Sequence, residues 1–226
     1  AEKANTNPKE FVDSVVPKFV DAWKSLNIEY DRFIRTTDKD HEKTVNEFIL
    51  KCQKKGDIYK GNYSGLYCTG CEQYYTDKDF EDNICTHHNR PLEEVKEETY
   101  FFKLSNYTDK LLELYEKHPE FIQPKSRRNE IINRVKEGLR DLSITRTTFD
   151  WGIPFVLDDK HVTYVWFDAL INYYTATREK GREYFWGEPT VHLLGKDNTW
   201  FHTVYWPAML MSAGIDLPKT TFNHGF

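Results

Sequence analysis

The sequence predicts an α/β fold in which a parallel sheet is interrupted by an insertion. Short apolar segments at 161–167, 191–194 and 220–223 have the composition of buried strands. Helical segments long enough for parallel crossovers separate them, which gives the order β-α-β-α-β. The carboxyl ends of such strands meet at one edge of the sheet, where open α/β folds bind their ligands. The competing interpretation is a scaffold sheet whose site lies elsewhere.

The amino-terminal segment predicts the end of such a domain rather than its beginning. A helix starts near Pro8, a short strand is predicted at 33–36, and a second helix at 40–55 ends at Gly56. The segment contains no opening strand followed by a phosphate-binding turn. We therefore expect the sheet to be incomplete at its amino terminus.

A change in composition divides the chain into three parts. Residues 58–142 begin with a Gly- and Tyr-rich hairpin, continue through a loop-like cysteine segment and end with amphipathic helices. The α/β pattern resumes with a returning strand at 142–146. We expect residues 1–57 and 143–226 to be two parts of one domain, and residues 58–142 to be an insertion between them.

The overall composition is that of a globular protein rather than a membrane protein. Charged residues make up 30% of the chain, hydrophobic residues 39%, and the net charge is −5. No apolar run approaches the roughly 20 residues of a transmembrane helix, and no signal peptide is recognisable at Ala1. A nucleic-acid partner must therefore approach through a local basic patch. Four cysteines without a secretory signal favour a reducing, cytoplasmic location.

Two paired-ligand motifs predict a metal site. Cys68-Thr-Gly-Cys71 and Cys85-Thr-His-His88 flank residues 72–84. Zinc prefers thiolate and imidazole ligands in a closed tetrahedron, and a two-residue spacer lets two ligands on one turn reach the same ion. Four ligands leave no open position, so we expect one structural zinc ion per chain. His87 is an alternative fourth ligand, although the spacing favours His88, and unrelated buried thiols are the competing interpretation.

Aromatic and polar side chains gather near two of the predicted strand ends. Ala169 and Tyr173 are four residues apart and therefore share a helix face. A small alanine among large rings leaves room for a slim apolar side chain, with Tyr173 and His202 as polar contacts at its end. The candidates are Trp166, Ala169, Tyr173, Phe201, His202 and Trp206. For each residue alone, ordinary aromatic core packing is the more frequent outcome.

Charged residues near the same strand ends offer further contacts. Asp197 lies at a strand–helix corner, where it can accept hydrogen bonds from a ribose or cap the helix, and Asp168 is predicted to cap the helix at 169–178. Arg146, on the returning strand, can meet a phosphate or a carboxylate. Basic residues between 125 and 140 can face RNA phosphate, although a solvated helix face is the commoner explanation.

The sequence around these residues resembles that of the methionyl-tRNA synthetase family of class I aminoacyl-tRNA synthetases. The segments that carry the resemblance are SITRTTFDWGIP, TYVWFDALINYYTA and HLLGKDNTWFHTVYWPAMLMSAG. The cysteine segment, from GLYCTGCEQYYTDKDF to ETYFFKLSNY, resembles the family's connective-peptide insertion with a single zinc knuckle. The resemblance implies a Rossmann-like catalytic domain that activates methionine with ATP to methionyl-adenylate and transfers the methionyl group to tRNA(Met).

The resemblance also implies roles for individual residues. The methionine side chain is expected at Trp166, Ala169, Tyr173, Phe201 and His202. ATP is expected at Gly195, Asp197, His224 and Gly225, with Arg146 near the reacting carboxylate and phosphates. Magnesium accompanies ATP in the family reaction.

Two ATP-binding motifs of the family, HIGH and KMSKS, do not occur in the 226 residues. We therefore interpret the chain as a middle part of the catalytic region and expect it to be inactive in isolation. Asn198 stands where relatives often have an apolar pocket residue. The alternative function is a zinc-stabilised RNA-binding fragment without catalysis. The synthetases for leucine, isoleucine and valine are disfavoured because they carry much larger editing insertions.

Overall fold

The computed structural model describes residues 1, 5–68, 73–75, 80–81, 84–85, 89–187 and 190–225. The helices are α1 (Pro8–Ser25), α2 (Lys39–Lys55), α3 (Thr108–Lys117), α4 (Lys125–Lys136), α5 (Val165–Ala169), α6 (Asn172–Thr177) and α7 (Trp206–Ala213). The strands are β1 (Ile58–Cys68), β2 (Gln73–Tyr75), β3 (Phe80–Glu81), β4 (Ile84–Cys85), β5 (Arg90–Pro91), β6 (Glu93–Phe102), β7 (Ile122–Gln123), β8 (Leu142–Ser143), β9 (Thr145–Arg146), β10 (Val162–Thr163), β11 (Val191–Gly195) and β12 (Thr220–His224). Short 3₁₀ helices lie at Leu104–Tyr107, Glu183–Phe185 and Lys196–Asn198, and a π-helical turn lies at Phe201–Tyr205.

The chain forms two compact units, residues 1–35 and residues 36–226. In the first unit, α1 begins where the side chain of Asn7 accepts a hydrogen bond from the backbone N–H of Glu10 at 2.9 Å. Pro8 occupies the first helical turn, where its missing N–H costs no helical bond. The strand predicted at 33–36 is wrong, because these residues adopt no regular structure.

In the second unit, α2 leads into a long antiparallel hairpin. Gly56 ends α2 in the left-handed conformation, with φ 83°, as the sequence predicts. Strands β1 and β6 then pair over their length, with Ile58 opposite Phe102 and Tyr67 opposite Glu93. Strands β2 and β8 extend this sheet in the order β2-β1-β6-β8. The hairpin therefore carries the chain out to the cysteine segment and back to the returning strand.

The second unit also contains a parallel sheet of order β11-β12-β7. Its register pairs Val191 with Thr220 and Gly195 with His224. The strands predicted at 191–194 and 220–223 are thus confirmed. One face of these strands is buried, whereas Leu193 and Phe222 on the opposite face are exposed.

The strand predicted at 161–167 is wrong. Only Val162–Thr163 is extended, and it pairs antiparallel with β9 instead of joining the parallel sheet. The N–H groups of Phe167 and Asp168 bond back to the carbonyl of Tyr164, at 2.8 and 3.1 Å, and so start α5. The β-branched and aromatic composition predicted a strand, but tertiary packing overrides such local propensity. Asp168 accordingly lies inside α5 and does not cap a helix.

A continuous hydrophobic core holds the second unit together. It contains side chains from α2, the β1–β6 hairpin, α3, α4, α5 and α7. The rings of Phe48 and Trp206, for example, stack at a centroid distance of 5.9 Å. Side chains from within 58–142 and from both flanking segments share this core. Among the described residues, no helix is long and apolar enough to cross a membrane.

Candidate functional site

The helix that follows β11 widens into a π-helical turn, Phe201–Tyr205, before it continues as α7. Pro207 has no N–H, so the carbonyl of Thr203 loses the donor that an α-helix supplies four residues later. The buried hydroxyl of Tyr115 donates to this carbonyl instead, at 2.6 Å. Such π-helical turns occur frequently at functional sites. Here the turn carries two of the predicted pocket residues.

The first pair of pocket residues is joined by a hydrogen bond between Tyr173 and His202. The ring nitrogen Nδ1 of His202 lies 2.9 Å from the carbonyl of Asn198, which can only accept, so Nδ1 carries the proton. Nε2 then accepts from the hydroxyl of Tyr173, 2.8 Å away. Burial lowers the pKa of His202 and raises the pKa of Tyr173. The pair is therefore uncharged at neutral pH.

His192 and Trp206 form the inner wall behind this pair. The ring of His192 lies 4.3 Å from the ring of Tyr173, and its Nε2 accepts a hydrogen bond from Trp206 Nε1 at 3.2 Å. Burial lowers the pKa of His192 to about 3, so its ring is neutral as well. Trp206 is completely buried and belongs to the hydrophobic core. For this residue, ordinary core packing is therefore the correct interpretation.

The second pair is an aromatic stack between Trp166 on α5 and Phe201 on the π-helical turn. Their ring centroids are 3.7 Å apart with an interplanar angle of 10°. Both side chains are half-buried, as are Ala169 on α5 and Tyr173 on α6. The structure thus joins α5, α6 and the π-helical turn through two specific contacts between predicted pocket residues, and leaves part of their surface accessible.

The predicted ATP-binding residues lie at the carboxyl ends of the two adjacent parallel strands. Gly195 and His224 are register partners at the ends of β11 and β12. Asp197 follows in an exposed 3₁₀ helix, and Gly225 comes directly after the last residue of β12. The strand predicted at 161–167 does not end at this edge, because Trp166 lies on helix α5. The edge still has the location at which open α/β sheets bind ligands.

Arg146 is buried beside the start of α5. Its guanidinium lies over the ring of Tyr164, 4.2 Å from the centroid. Nη1 donates to Ser143 Oγ at 2.9 Å and to the carbonyl of Thr145 at 2.7 Å. Because Tyr164 precedes Trp166 by only two residues, the cation is held next to the element that carries the aromatic stack.

Two of the four predicted zinc ligands are described by the structure. Cys68 and Cys85 are buried and form a small cluster with Leu92, apart from the main core. Cys71 and His88, and the alternative ligand His87, lie outside the described residues. One cysteine from each of the two motifs thus lies in the same small cluster.

A second group of potential metal ligands consists of Glu98, Asp158 and His161, whose ligand atoms lie within 4.8 Å of one another among the described residues. The ammonium of Lys60 lies 2.8 Å from Glu98 Oε1 and 3.0 Å from Asp158 Oδ2. A lysine therefore already supplies the positive charge between these two carboxylates.

Asp168 is a residue whose buried environment the sequence reasoning missed. It lies between Trp166 and Ala169, and burial raises its pKa to about 8. Its Oδ1 is 4.0 Å from Nε2 of His41, whose Nδ1 lies 3.1 Å from Thr175 Oγ1. The sequence signal for this environment is an acidic residue within a strongly apolar run, a pattern that also fits a helix cap.

The comparisons with known proteins cover the whole chain and show its family. A family model described as tRNA synthetases class I (M) matches residues 1–226. The fold and the site therefore define a class I tRNA synthetase.

Curated relatives identify the branch of that class. The chain is 51% identical to the methionine--tRNA ligase of Clostridium tetani and 52% identical to that of Caldanaerobacter subterraneus subsp. tengcongensis, in each case over all of this chain and 36% of the relative. A solved structure of Mycobacterium tuberculosis methionyl-tRNA synthetase in complex with methionyl-adenylate matches with a TM-score of 0.93 and 43% identity, over 100% of this chain and 46% of that one. The chain belongs to the methionyl-tRNA synthetase family and spans about a third to a half of the length of these proteins.

Proposed function

We propose that these 226 residues supply the methionine pocket and part of the ATP site of a methionine–tRNA ligase. The enzyme activates methionine with ATP and transfers the methionyl group from the adenylate to tRNA(Met). The observation that carries the proposal is the neutral Tyr173–His202 pair beside the Trp166–Phe201 stack. Support also comes from the match to methionine–tRNA ligases over the whole chain.

The properties of this pocket suit the methionine side chain. Methionine is unbranched and apolar, and its sulfur is a weak hydrogen-bond acceptor. Rings from Trp166 and Phe201 offer apolar surface, and Ala169 leaves space between larger neighbours. The hydroxyl of Tyr173 donates to His202 in the free protein, and a sulfur atom is a second weak acceptor for the same proton. A charged histidine would lose its hydration when an apolar ligand covered it, so the neutral state of His202 supports this assignment.

The ATP-binding role is proposed for Gly195, Asp197, His224 and Gly225 at the sheet edge. Arg146 is proposed to contact the methionine carboxylate or the phosphates as the carboxylate attacks the α-phosphorus and pyrophosphate leaves. A guanidinium is a permanent cation with a fixed donor geometry, which suits both groups. Magnesium bound with ATP supplies additional charge neutralisation of the phosphates.

Zinc is proposed to be structural and to be held by Cys68, Cys71, Cys85 and His88. The clustering of Cys68 with Cys85 supports this ligand set. We further propose that residues 58–142 are the connective-peptide insertion between two parts, 1–57 and 143–226, of a Rossmann-like domain, and that the protein acts in the cytoplasm. Because HIGH and KMSKS do not occur in the chain, we propose that the isolated 226 residues bind ligands without completing the reaction.

The alternative of a purely RNA-binding fragment has weaker support. The basic side chains of α4 are largely engaged within the protein. Arg134 lies over the ring of Trp200 at 4.0 Å, Arg127 pairs with Glu130 at 2.6 Å, and Arg128 donates to the carbonyl of Pro119 at 2.9 Å.

Calorimetric titration of the full-length protein tests the methionine pocket. We expect methionine to bind more tightly than norleucine, which has the same length and lacks sulfur, and leucine to bind far more weakly. Tyr173→Phe is expected to reduce the preference for methionine over norleucine by about threefold to tenfold, the loss of one hydrogen bond. Absence of methionine binding to the folded wild-type protein would refute the proposed function.

A further inference from the structure

A buried hydroxyl group on β6 lies at the centre of the contacts that hold Arg146. Thr99 is 1% exposed. Its Oγ1 lies 2.8 Å from Ser143 Oγ, 3.0 Å from Thr145 Oγ1 and 3.1 Å from the carbonyl oxygen of Thr145. Arg146 Nη1 donates to Ser143 Oγ and to the same Thr145 carbonyl. Thr99 therefore contacts two groups that accept hydrogen bonds from the guanidinium.

The direction of each hydrogen bond follows from the groups at the two ends. A guanidinium only donates and a carbonyl only accepts. Ser143 Oγ accepts from Arg146, so its own proton is available for Thr99 Oγ1. The proton of Thr99 then goes to a carbonyl, that of Thr145 at 3.1 Å or that of Tyr100 at 3.3 Å. Removal of the Thr99 hydroxyl therefore takes away the partner of the Ser143 proton and one of the two donors to the Thr145 carbonyl, which keeps its bond from Arg146.

The remaining contacts show that the guanidinium is held from two directions. The hydroxyl and carbonyl groups fix its edge, while the ring of Tyr164 lies against its face. The hydroxyl of Thr145 is itself fixed, because it accepts from the N–H of Tyr100 at 3.0 Å and lies 3.0 Å from His161 Nδ1. With its neighbour fixed in this way, Ser143 depends on Thr99 for the orientation of its hydroxyl.

We propose that Thr99 is a positioning residue that fixes the guanidinium of Arg146 through Ser143 and Thr145. The inference rests on the proposed role of Arg146 in methionine activation. Thr99 lies within residues 58–142, so the insertion acts on the reacting groups as well as carrying the zinc ligands. Donors contribute most to transition-state stabilisation when they are held in place beforehand. A loosened guanidinium should therefore slow the chemical step and leave methionine affinity nearly unchanged.

Thr99→Val tests this role because it removes the hydroxyl and keeps the shape of the side chain. Thr163→Val is the matched control: Thr163 is buried on β10 opposite Thr145, and its hydroxyl has no hydrogen-bond partner within the described part of the chain. Methionine-dependent pyrophosphate exchange by the full-length protein gives the maximal rate and the KM for methionine. We expect Thr99→Val to lower the maximal rate about tenfold, with little change in KM. Thr99→Ser and Thr163→Val are expected to keep the wild-type rate.

The same substitution in an Arg146→Lys background shows whether Thr99 acts through Arg146. No further loss is expected there, because coupled residues are non-additive and the guanidinium is already gone. A full tenfold loss in that background, or equal losses for Thr99→Val and Thr163→Val, would overturn the proposal. If Thr99→Val does not fold, Ser143→Ala removes an acceptor of Arg146 directly and carries the same expectations.

Nitrogen NMR of the guanidinium separates this proposal from the proposed function. The Arg146 signals are assigned by their loss in Arg146→Lys. The hydrogen bonds that Nη1 donates hinder rotation of the guanidinium. We therefore expect its Nη signals to be separate in wild type and Thr163→Val, and to merge in Thr99→Val. Unchanged signals in Thr99→Val would refute positioning by Thr99. If the Nη signals merge in Thr99→Val but the wild-type protein shows no pyrophosphate exchange, the proposed function is refuted. The positioning of Arg146 by Thr99 is then still supported.

Discussion

Because the carboxyl group of Asp168 is buried, we expect the free energy of unfolding to fall as the pH rises from about 4 to about 8. Burial raises the pKa of Asp168 from the usual 3.8 to about 8, so the folded protein keeps this proton over a range in which the unfolded chain loses it. The unfolded state binds fewer protons in this range, and the free energy of unfolding therefore decreases with pH. Below this range both states hold the proton, and above it neither does.

The size of the effect follows from the pKa difference. One group contributes about 1.4 kcal/mol per pH unit while only the folded state is protonated. Between pH 3.8 and pH 7 this amounts to roughly 4 kcal/mol, an upper bound because water penetration and relaxation reduce the cost of burying a charge. Asp168→Asn keeps the shape and cannot ionise. We expect it to be more stable than wild type at pH 7 and to lack this decrease.

Urea denaturation of wild type and Asp168→Asn between pH 5 and pH 9 measures the difference directly. The control is Asp57→Asn, because Asp57 is also buried but accepts hydrogen bonds from Tyr107 and Ser212. That variant is expected to lose stability, since an amide group is a poorer partner for these two hydroxyl donors. The reasoning is refuted if wild type and Asp168→Asn have parallel stability profiles across this range.

Three further substitutions and treatments test other parts of the structure. Trp166→Ala is expected to weaken methionine binding by roughly tenfold, because it removes the stack on Phe201, and equal affinity in calorimetry would refute the pocket role. Tyr115→Phe removes the hydroxyl that donates to the carbonyl of Thr203. We expect the free energy of unfolding, measured by urea denaturation, to fall by about 1–3 kcal/mol. An unchanged midpoint would show that the π-helical turn does not need this hydrogen bond. Metal analysis is expected to find about one zinc ion per chain, with a lower melting temperature after chelation; a folded, untreated sample without zinc contradicts the ligand assignment.

Strong local signals in the sequence correctly predicted several elements. The apolar runs that became β11 and β12 are bounded by Gly195 and by His224–Gly225, and the helix ended by Gly56 has a regular apolar face. In each case the local pattern and the tertiary packing favour the same structure. The sequence predicts that Trp166, Tyr173, Phe201 and His202 lie together near strand ends. In the structure Tyr173 contacts His202, and Trp166 contacts Phe201.

Other features depend on contacts that a local pattern does not contain. Strand β7 has only two residues, too few for a periodic signal, and it joins the parallel sheet through its pairing with β12. The segment at 161–167 has strand composition, yet the backbone turns helical at Tyr164. The Thr99–Ser143 contact joins residues 44 positions apart. Because Ser and Thr residues are common throughout the sequence, no local pattern predicts that Thr99 and Ser143 form a hydrogen bond.

The most direct test of the account is methionine-dependent exchange of labelled pyrophosphate into ATP by the full-length protein. We predict exchange with methionine and none with leucine, because the neutral, aromatic-lined pocket selects an unbranched thioether side chain. The isolated 226-residue chain is predicted to bind methionine without exchange. Exchange that depends on leucine, or no exchange from a folded and zinc-loaded full-length protein, would contradict the assignment of this chain to methionine activation.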